Sequence, residues 1–426
     1  MNIKRLRLSH FRGSGDLSLY LHDKLNVFVG VNGSGKSTIL DAVSILLSWL
    51  LENISNEIGP GASIQDDDIS NDQGSVTLEI FLAYNGIEYA WGIHSNRDTV
   101  DNKQDLTDLQ NLESLAYSLQ KLIQTPDKQV NVPLLVYYPV NRSVVEVPLK
   151  PYKPKQQQLL DAYADSLSSG ANFQSFFAWY QQREEQEWTK LNSTDTENSG
   201  ERPDTALDPQ LAAVRSALSQ LLPGFGNLTM YQNPVRLEVM KYGRPIKVSQ
   251  LSDGEQCLMA LAGDLARRLS IANPARKNPL QGEGIVLIDE IDLHLHPKWQ
   301  HMVVPGLREV FPNCQFLITT HSPHVITHVK PESMFLLTET ETGILVDKPV
   351  ESYGKNVDRI LEDLMGLEST RPGQVSVALA RLYDLIDQGK LEEAQRVLEM
   401  LKNLIGEDGD LLKAEILIRR KELLGK

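Results

Sequence analysis

The run Gly30-Val31-Asn32-Gly33-Ser34-Gly35-Lys36-Ser37 constrains this chain more than any other feature. It follows a short apolar run, Leu25 to Val29, and leads into Thr38-Ile39-Leu40-Asp41-Ala42-Val43. That order is strand, glycine loop, helix start, and the spacing G-x-x-x-x-G-K-S is that of a phosphate-binding loop. Glycines let the backbone turn tightly, so that successive N–H groups converge on one anion, and the helix N-terminus adds its dipole. The expected fold class is therefore α/β, a mixed sheet flanked by helices. Asn32, Gly33, Ser34, Gly35 and Thr38 are expected around the phosphates of ATP. Lys36 would reach the β- and γ-phosphates, and the Ser37 hydroxyl would ligate Mg²⁺.

Two later strands end on residues suited to the same chemistry. Gly284-Ile285-Val286-Leu287-Ile288 reads as a buried strand that delivers Asp289 and Glu290 at its C-terminal end. Asp289 can hold Mg²⁺ through water, and Glu290 can orient or deprotonate an attacking water. Residues 315–320 form the next strand and end at His321-Ser322-Pro323, where a histidine facing the loop can donate to the γ-phosphate. Each motif has a plainer reading: two carboxylates can cap a helix, and His321 can be a satisfied core residue. Leu251-Ser252-Asp253-Gly254-Glu255-Gln256 on its own reads as a helix N-cap. Arg12 either lies over the nucleotide or is a surface arginine. Asp292, His294 and His296 are read as helix-start packing, because no fourth metal ligand is evident.

The 426 residues allow two or three domains. A net charge of -14 excludes a protein that grips DNA with its whole surface. DNA contact is left to a local basic patch, Lys150-Pro151-Tyr152-Lys153-Pro154-Lys155, which also reads as a solvated linker. Cys257 and Cys314 sit in apolar contexts and are expected as reduced core residues. The N-terminus alternates like a strand, and no apolar run suggests a membrane span, so a cytoplasmic protein is expected. Residues 76–83 and 87–93 alternate as a hairpin through Asn85-Gly86. A helix is expected over 103–123 and a strand over 132–138. Residues 156–188 form a helical region bearing Phe173, Phe176, Phe177, Trp179 and Tyr180, and residues 189–208 a polar loop. After Thr370-Arg371-Pro372-Gly373, three amphipathic helices are marked by Val375, Leu379, Leu382 and Ile386, then Leu391, Ala394, Val397, Leu398 and Leu401, then Leu411, Ile416 and Leu417. Four pieces are expected: a phosphate-loop lobe (1–145), a helical insertion (146–245), a second lobe (246–370), and a helical docking or assembly segment (371–426).

The order of these motifs resembles the ABC-type ATPases of the RecF/SMC-like class, over residues 1–50 and 248–325. That resemblance implies a homodimer in which Ser252, Gly254 and Glu255, the signature of one subunit, close on nucleotide held by the other. Asp253 stands where the usual signature has its first glycine, and Glu255 where it has a glutamine. A Q-loop residue is expected around Asn141-Arg142, although no glutamine stands there. The stretches FPNCQFLITTHSP, IDEIDLHLHPKWQ and LSDGEQ, with the aromatic segment ending in Arg183-Glu184, look like the short-armed ATPases of anti-phage defence, the Septu PtuA type and its retron-associated relatives. This implies a higher homo-oligomer and a partner nuclease of the HNH type. Alternatives are a RecF-like DNA-clamping ATPase and a nucleotide-stabilised scaffold with negligible turnover. The short chain after His321 lacks a D-x-D strand end and argues against an intrinsic nuclease.

Overall fold

The computed structural model describes residues 1–54, 61–97, 105–125, 130–140, 159–167, 173–193, 208–232 and 235–424. They form two compact units, Met1–Lys355 and Asn356–Lys426. The first unit begins with β1 (Asn2–Ser9), β2 (Asp16–Tyr20), β3 (Leu25–Val29) and α1 (Lys36–Ile54). β4 (Ser75–Tyr84), β5 (Ile87–Asn96), β6 (Asp105–Thr107), α2 (Leu109–Ile123) and β7 (Leu134–Tyr138) follow. Next come α3 (Phe173–Ser193), α4 (Pro209–Leu221), β8 (Phe225–Gln232), β9 (Val235–Lys241), β10 (Arg244–Lys247) and α5 (Asp253–Ala272). The unit closes with β11 (Gly284–Ile288), α6 (Pro297–Val310), β12 (Cys314–Thr320), the single turn α7 (Pro323–Ile326), β13 (Met334–Thr340) and β14 (Gly343–Asp347).

β3, β7, β11 and β12 are buried at every position, as expected of parallel strands covered on both faces. They lie in a six-stranded sheet of order β14-β13-β3-β12-β11-β7, in which β14 alone runs antiparallel to its neighbour. The ladder pairs Val29 with Thr320 and Ile288 with both Ile318 and Tyr138. Four strands therefore end together, and the loops leaving them share one edge, the usual ligand edge of a parallel sheet. α1 is long and apolar enough to cross a membrane, yet most of it is buried inside this unit behind the glycine loop. A five-stranded antiparallel sheet, β2-β1-β4-β5-β6, alternates buried and half-exposed residues along β4. A three-stranded sheet, β10-β9-β8, stands before α5.

Two local expectations change. The helix expected from 103 starts at Leu109, because residues 105–107 pair instead with Gly92, Ile93 and His94 of β5. The polar stretch expected as a loop from 189 is helical through Ser193, and its part from 194 to 207 lies outside the described residues. Also outside them are Asn141-Arg142, expected at the Q-loop, and the basic cluster Lys150–Lys155.

The second unit holds α8 (Val357–Asp363), α9 (Gly373–Asp387), α10 (Leu391–Ile405) and α11 (Gly409–Leu424). Leu379, Leu382 and Ile386 of α9 meet Ala394, Leu398 and Leu401 of α10 and Leu411, Ala414 and Ile418 of α11 in one core. Ile416 differs from expectation: it is 59% exposed on the outer face of α11, and Ile418 takes the core position. Arg371 ties the start of α9 to Asp408 and Asp410 at the start of α11, and Lys421 donates back to the Ile386 carbonyl at 2.6 Å.

Candidate active site

The glycine loop leaves β3 and enters α1 with Gly33 and Gly35 at φ +85° and +87°. At Gly35 the left-handed backbone disfavours any side chain, and an added Cβ would also require Ile344 Cδ1 of β14, 2.0 Å away, to shift. Lys36 is buried, and its ammonium donates to the carbonyls of Gly30 (3.0 Å) and Val31 (2.8 Å) across the loop. Ser34 Oγ is buried without a hydrogen-bond partner among the described residues. It lies against Gly30, where an added Cβ would stand 2.4 Å from it. The left-handed Gly33 and Gly35 and the Lys36 ammonium, held at the loop carbonyls where α1 begins, are the features that fit a bound phosphate. Ser37 and Thr38 follow on the first turn of α1.

β11 delivers Asp289, 2% exposed, and Glu290 to the same edge. Both are braced by one threonine of the neighbouring strand. Thr319 Oγ1 donates to Asp289 Oδ1 at 2.5 Å and accepts the Glu290 N–H at 2.7 Å. Glu290 has φ +46°, a left-handed conformation that a non-glycine residue adopts only when its surroundings enforce it. Thr320 Oγ1 donates to Asp292 Oδ1 at 2.5 Å, and the His321 N–H reaches the same oxygen at 3.4 Å. Asp292 thus does more than open a helix; it holds the segment that presents His321. Burial pulls the Lys36 amine below its ordinary value, against the opposing charges of Glu290, Asp289 and Asp292. Burial, then the Lys36 charge, keeps the His321 imidazole below its ordinary value, with the same carboxylates opposing. Lys36, Asp289, Glu290 and His321 therefore share one electrostatic field. His321 is held toward its neutral form, able to donate one hydrogen bond.

Arg12 is held by two carboxylates. Its guanidinium pairs with Asp41 of α1 and, at 2.7 Å, with Asp68, and Asp41 also accepts from the Tyr137 hydroxyl at 2.8 Å. This pairing fixes the loop after β1 to α1, a cross-brace that needs partners far apart in sequence.

The signature residues lie at the head of α5. Ser252 is the N-cap: its Oγ accepts the Glu255 N–H at 3.4 Å, and Glu255 Oε2 accepts the Ser252 N–H at 3.2 Å, a capping box. Ser252 and Asp253 are exposed, whereas Gly254 is buried. A Cβ on Gly254 would stand 2.2 Å from the His294 carbonyl oxygen, so the segment after Glu290 packs directly on the signature. Among the described residues no hydrogen bond or ion pair joins Ser252–Glu255 to the glycine loop.

A buried network behind α5 escaped the sequence reading. Asp264 and Arg268 are both fully buried and paired at 2.7 Å, with Arg267 on the other Asp264 oxygen at 2.6 Å. Arg268 donates to the carbonyls of Ala162 and Ala164, and the Tyr138 hydroxyl donates to Asp264 at 3.0 Å. The Tyr138 carbonyl in turn accepts the Asp289 N–H at 2.9 Å. One residue therefore connects the carboxylate edge to the signature helix. Its sequence signal was Asp264, Arg267 and Arg268 at helical spacing within an otherwise apolar helix.

Residues 25–327 match the AAA_21 family model, described as "AAA domain, putative AbiEii toxin, Type IV TA system". The chain is 30% identical over 418 residues to the "Retron Vc95 probable ATPase" of Vibrio cholerae serotype O1 biovar El Tor, covering 88% of this chain and 81% of that one. It is 24% identical over 437 residues to the Septu protein PtuA of Bacillus thuringiensis, covering 97% of each. Among solved structures, an SMC head bound to the C-winged helix domain of ScpA matches with a TM-score of 0.51 at 15% identity, over 82% of this chain and 98% of that one. That last likeness is one of fold.

Proposed function

The chain belongs to the AAA_21 family, and on that premise we propose that it is a nucleotide-switched ATPase subunit of an anti-phage defence complex, paired with a separate nuclease of the HNH type. The observation that carries the reading is the separation of two half-sites. One edge gathers Lys36, Asp289, Glu290 and His321 behind buried braces. The exposed head of α5 carries Ser252 with no described bond to that edge. A second copy of the chain would bring its Ser252 and Gly254 to the phosphates held by the first.

In this reading Asn32 to Thr38 cradle the triphosphate, and Lys36 leaves the loop carbonyls for the β- and γ-phosphates. Ser37 and Asp289 would hold Mg²⁺, which when bound supplies charge neutralisation between the phosphates. Glu290, fixed through its backbone to Thr319, takes the proton of the attacking water. Neutral His321 donates to the γ-phosphate. The helical segment 371–426 is assigned to higher assembly or nuclease capture. It buries its own core yet leaves Leu412, Ile416 and Leu423 exposed on α11.

Light scattering on the Glu290→Gln variant tests the arrangement. Addition of ATP should raise the mass to that of a closed dimer or a multiple of it, and the adjacent-gene nuclease should copurify with the full chain but not after truncation at Pro372. A mass that ATP leaves unchanged, with wild-type turnover in a strict monomer, overturns it.

A further inference from the structure

Glu255 departs from the glutamine of the usual signature, and the structure shows what answers that departure. Its carboxylate sits in the first turn of α5, with its side chain only 13% exposed, and both oxygens are engaged. Oε2 closes the capping box with Ser252, and Oε1 receives the Lys241 ammonium at 2.7 Å. Lys241 is the last residue of β9, a separate element, opposite Phe225 of β8 and Arg244 of β10. Its ammonium also lies 5.4 Å from the centre of the Phe225 ring, which meets Trp299 of α6 edge-on at 6.3 Å. The ammonium is thus held by two contacts, the Glu255 carboxylate and the Phe225 ring. Burial would raise the Glu255 carboxyl, but the Lys241 and Ser252 hydrogen bonds and the Lys241 charge outweigh it and hold the group below its ordinary value.

A lone carboxylate here would oppose the function assigned to the helix head, because an anion is attracted to α5 by its free N–H groups and dipole. Asp253 is exposed, and its charge is screened by water; Glu255 is largely shielded from it. We infer that Lys241 is a positioning residue of the signature: it neutralises Glu255 and holds it in the capping box, so that Ser252 can face the γ-phosphate of a second copy. The signature is then clamped on two sides, by Lys241 at Glu255 and by the His294 carbonyl at Gly254. A glutamine at this position carries no charge for Lys241 to neutralise. This inference rests on the two-copy site proposed above.

The test is a double-mutant cycle in the full chain with Lys241→Met, Glu255→Gln and both together, and Lys241→Arg as the conservative control. Binding of a fluorescent ATP analogue to the glycine loop reports folding and should be equal in all four. Lys241→Met should lower both ATP-dependent association and turnover on the order of tenfold, the size expected for coupled neighbours. Glu255→Gln should restore most of that loss in the double variant, and Lys241→Arg should retain function. A double variant no better than Lys241→Met, or a Lys241→Met protein equal to wild type, overturns the inference while leaving the two-copy site intact. A wild-type protein that neither associates with ATP nor loses turnover in Ser252→Arg overturns the two-copy site, and the inference with it.

Discussion

The nucleotide edge and the signature head are built by opposite means. At the edge, Asp289 is 2% exposed and shares Thr319 with Glu290, while Thr320 and Asp292 fix the approach to His321. At the head of α5, Ser252 and Asp253 are exposed, and the bracing comes from a local cap, one lysine and the His294 carbonyl against Gly254. The first region is organised within one chain before any nucleotide arrives. The second is exposed at Ser252 and Asp253 and, among the described residues, makes no hydrogen bond to the glycine loop. Tyr138 joins the two, carbonyl to Asp289 and hydroxyl to Asp264.

If the edge alone holds the chemistry, Glu290→Gln should cut turnover by about 10²–10⁴-fold while ATP still binds, since a positioned base contributes that much. Single-turnover kinetics with a binding assay separate the two effects. Equal turnover in both proteins would assign the base elsewhere or favour the scaffold reading. The joint should be the most costly place to cut for stability. Asp264→Ala leaves Arg268 buried without its carboxylate, and urea unfolding should show a loss of about 3–5 kcal/mol. A loss comparable to an exposed pair would mean that the joint is not under strain from burial. Tyr138→Phe removes only the hydroxyl donor, leaving the carbonyl on Asp289 in place. It should cost about 1.5–3 kcal/mol, the range for a hydrogen bond to a charged group, and a neutral result would show the two regions to be independently stable.

The smallest effect concerns acid. His301 of α6 meets His328 at 2.8 Å and His324 at 3.0 Å, next to the α7 turn that follows His321. Burial, then the His301 charge, hold His324 and His328 below their ordinary values. In the window just below the ordinary histidine value the unfolded chain therefore binds more protons than the folded one, so stability falls as pH falls. Melting temperatures between pH 7 and pH 5 should show this decline, and His301→Phe should flatten it. An unchanged slope would separate these histidines from the stability of the edge.

What could be read in the sequence follows the same division. The glycine loop, the Asp289-Glu290 pair and His321 each sit at the end of a short, mostly apolar run, so strand and chemistry are written in neighbouring residues. Parallel pairing then had to bring the run ends together, because the strands are buried on both faces. The Arg12 pairing with Asp41 and Asp68, the Lys241 contact with Glu255 and the Tyr138 contact with Asp264 are between residues on different elements. No local period announces such pairs. β6 was missed for a related reason: three residues form a strand only because β5 offers an unpaired edge beside them.

The most direct test mixes two inactive proteins, Lys36→Ala and Ser252→Arg. Lys36→Ala lacks the ammonium that grips the phosphates, and Ser252→Arg sets bulk and charge where a neighbour's γ-phosphate should lie. In a two-fold dimer each mixed pair regains one intact composite site, so an equimolar mixture should recover about a quarter of wild-type ATP turnover. A mixture as inactive as its components, or a Ser252→Arg protein as active as wild type, would contradict a site shared between two copies.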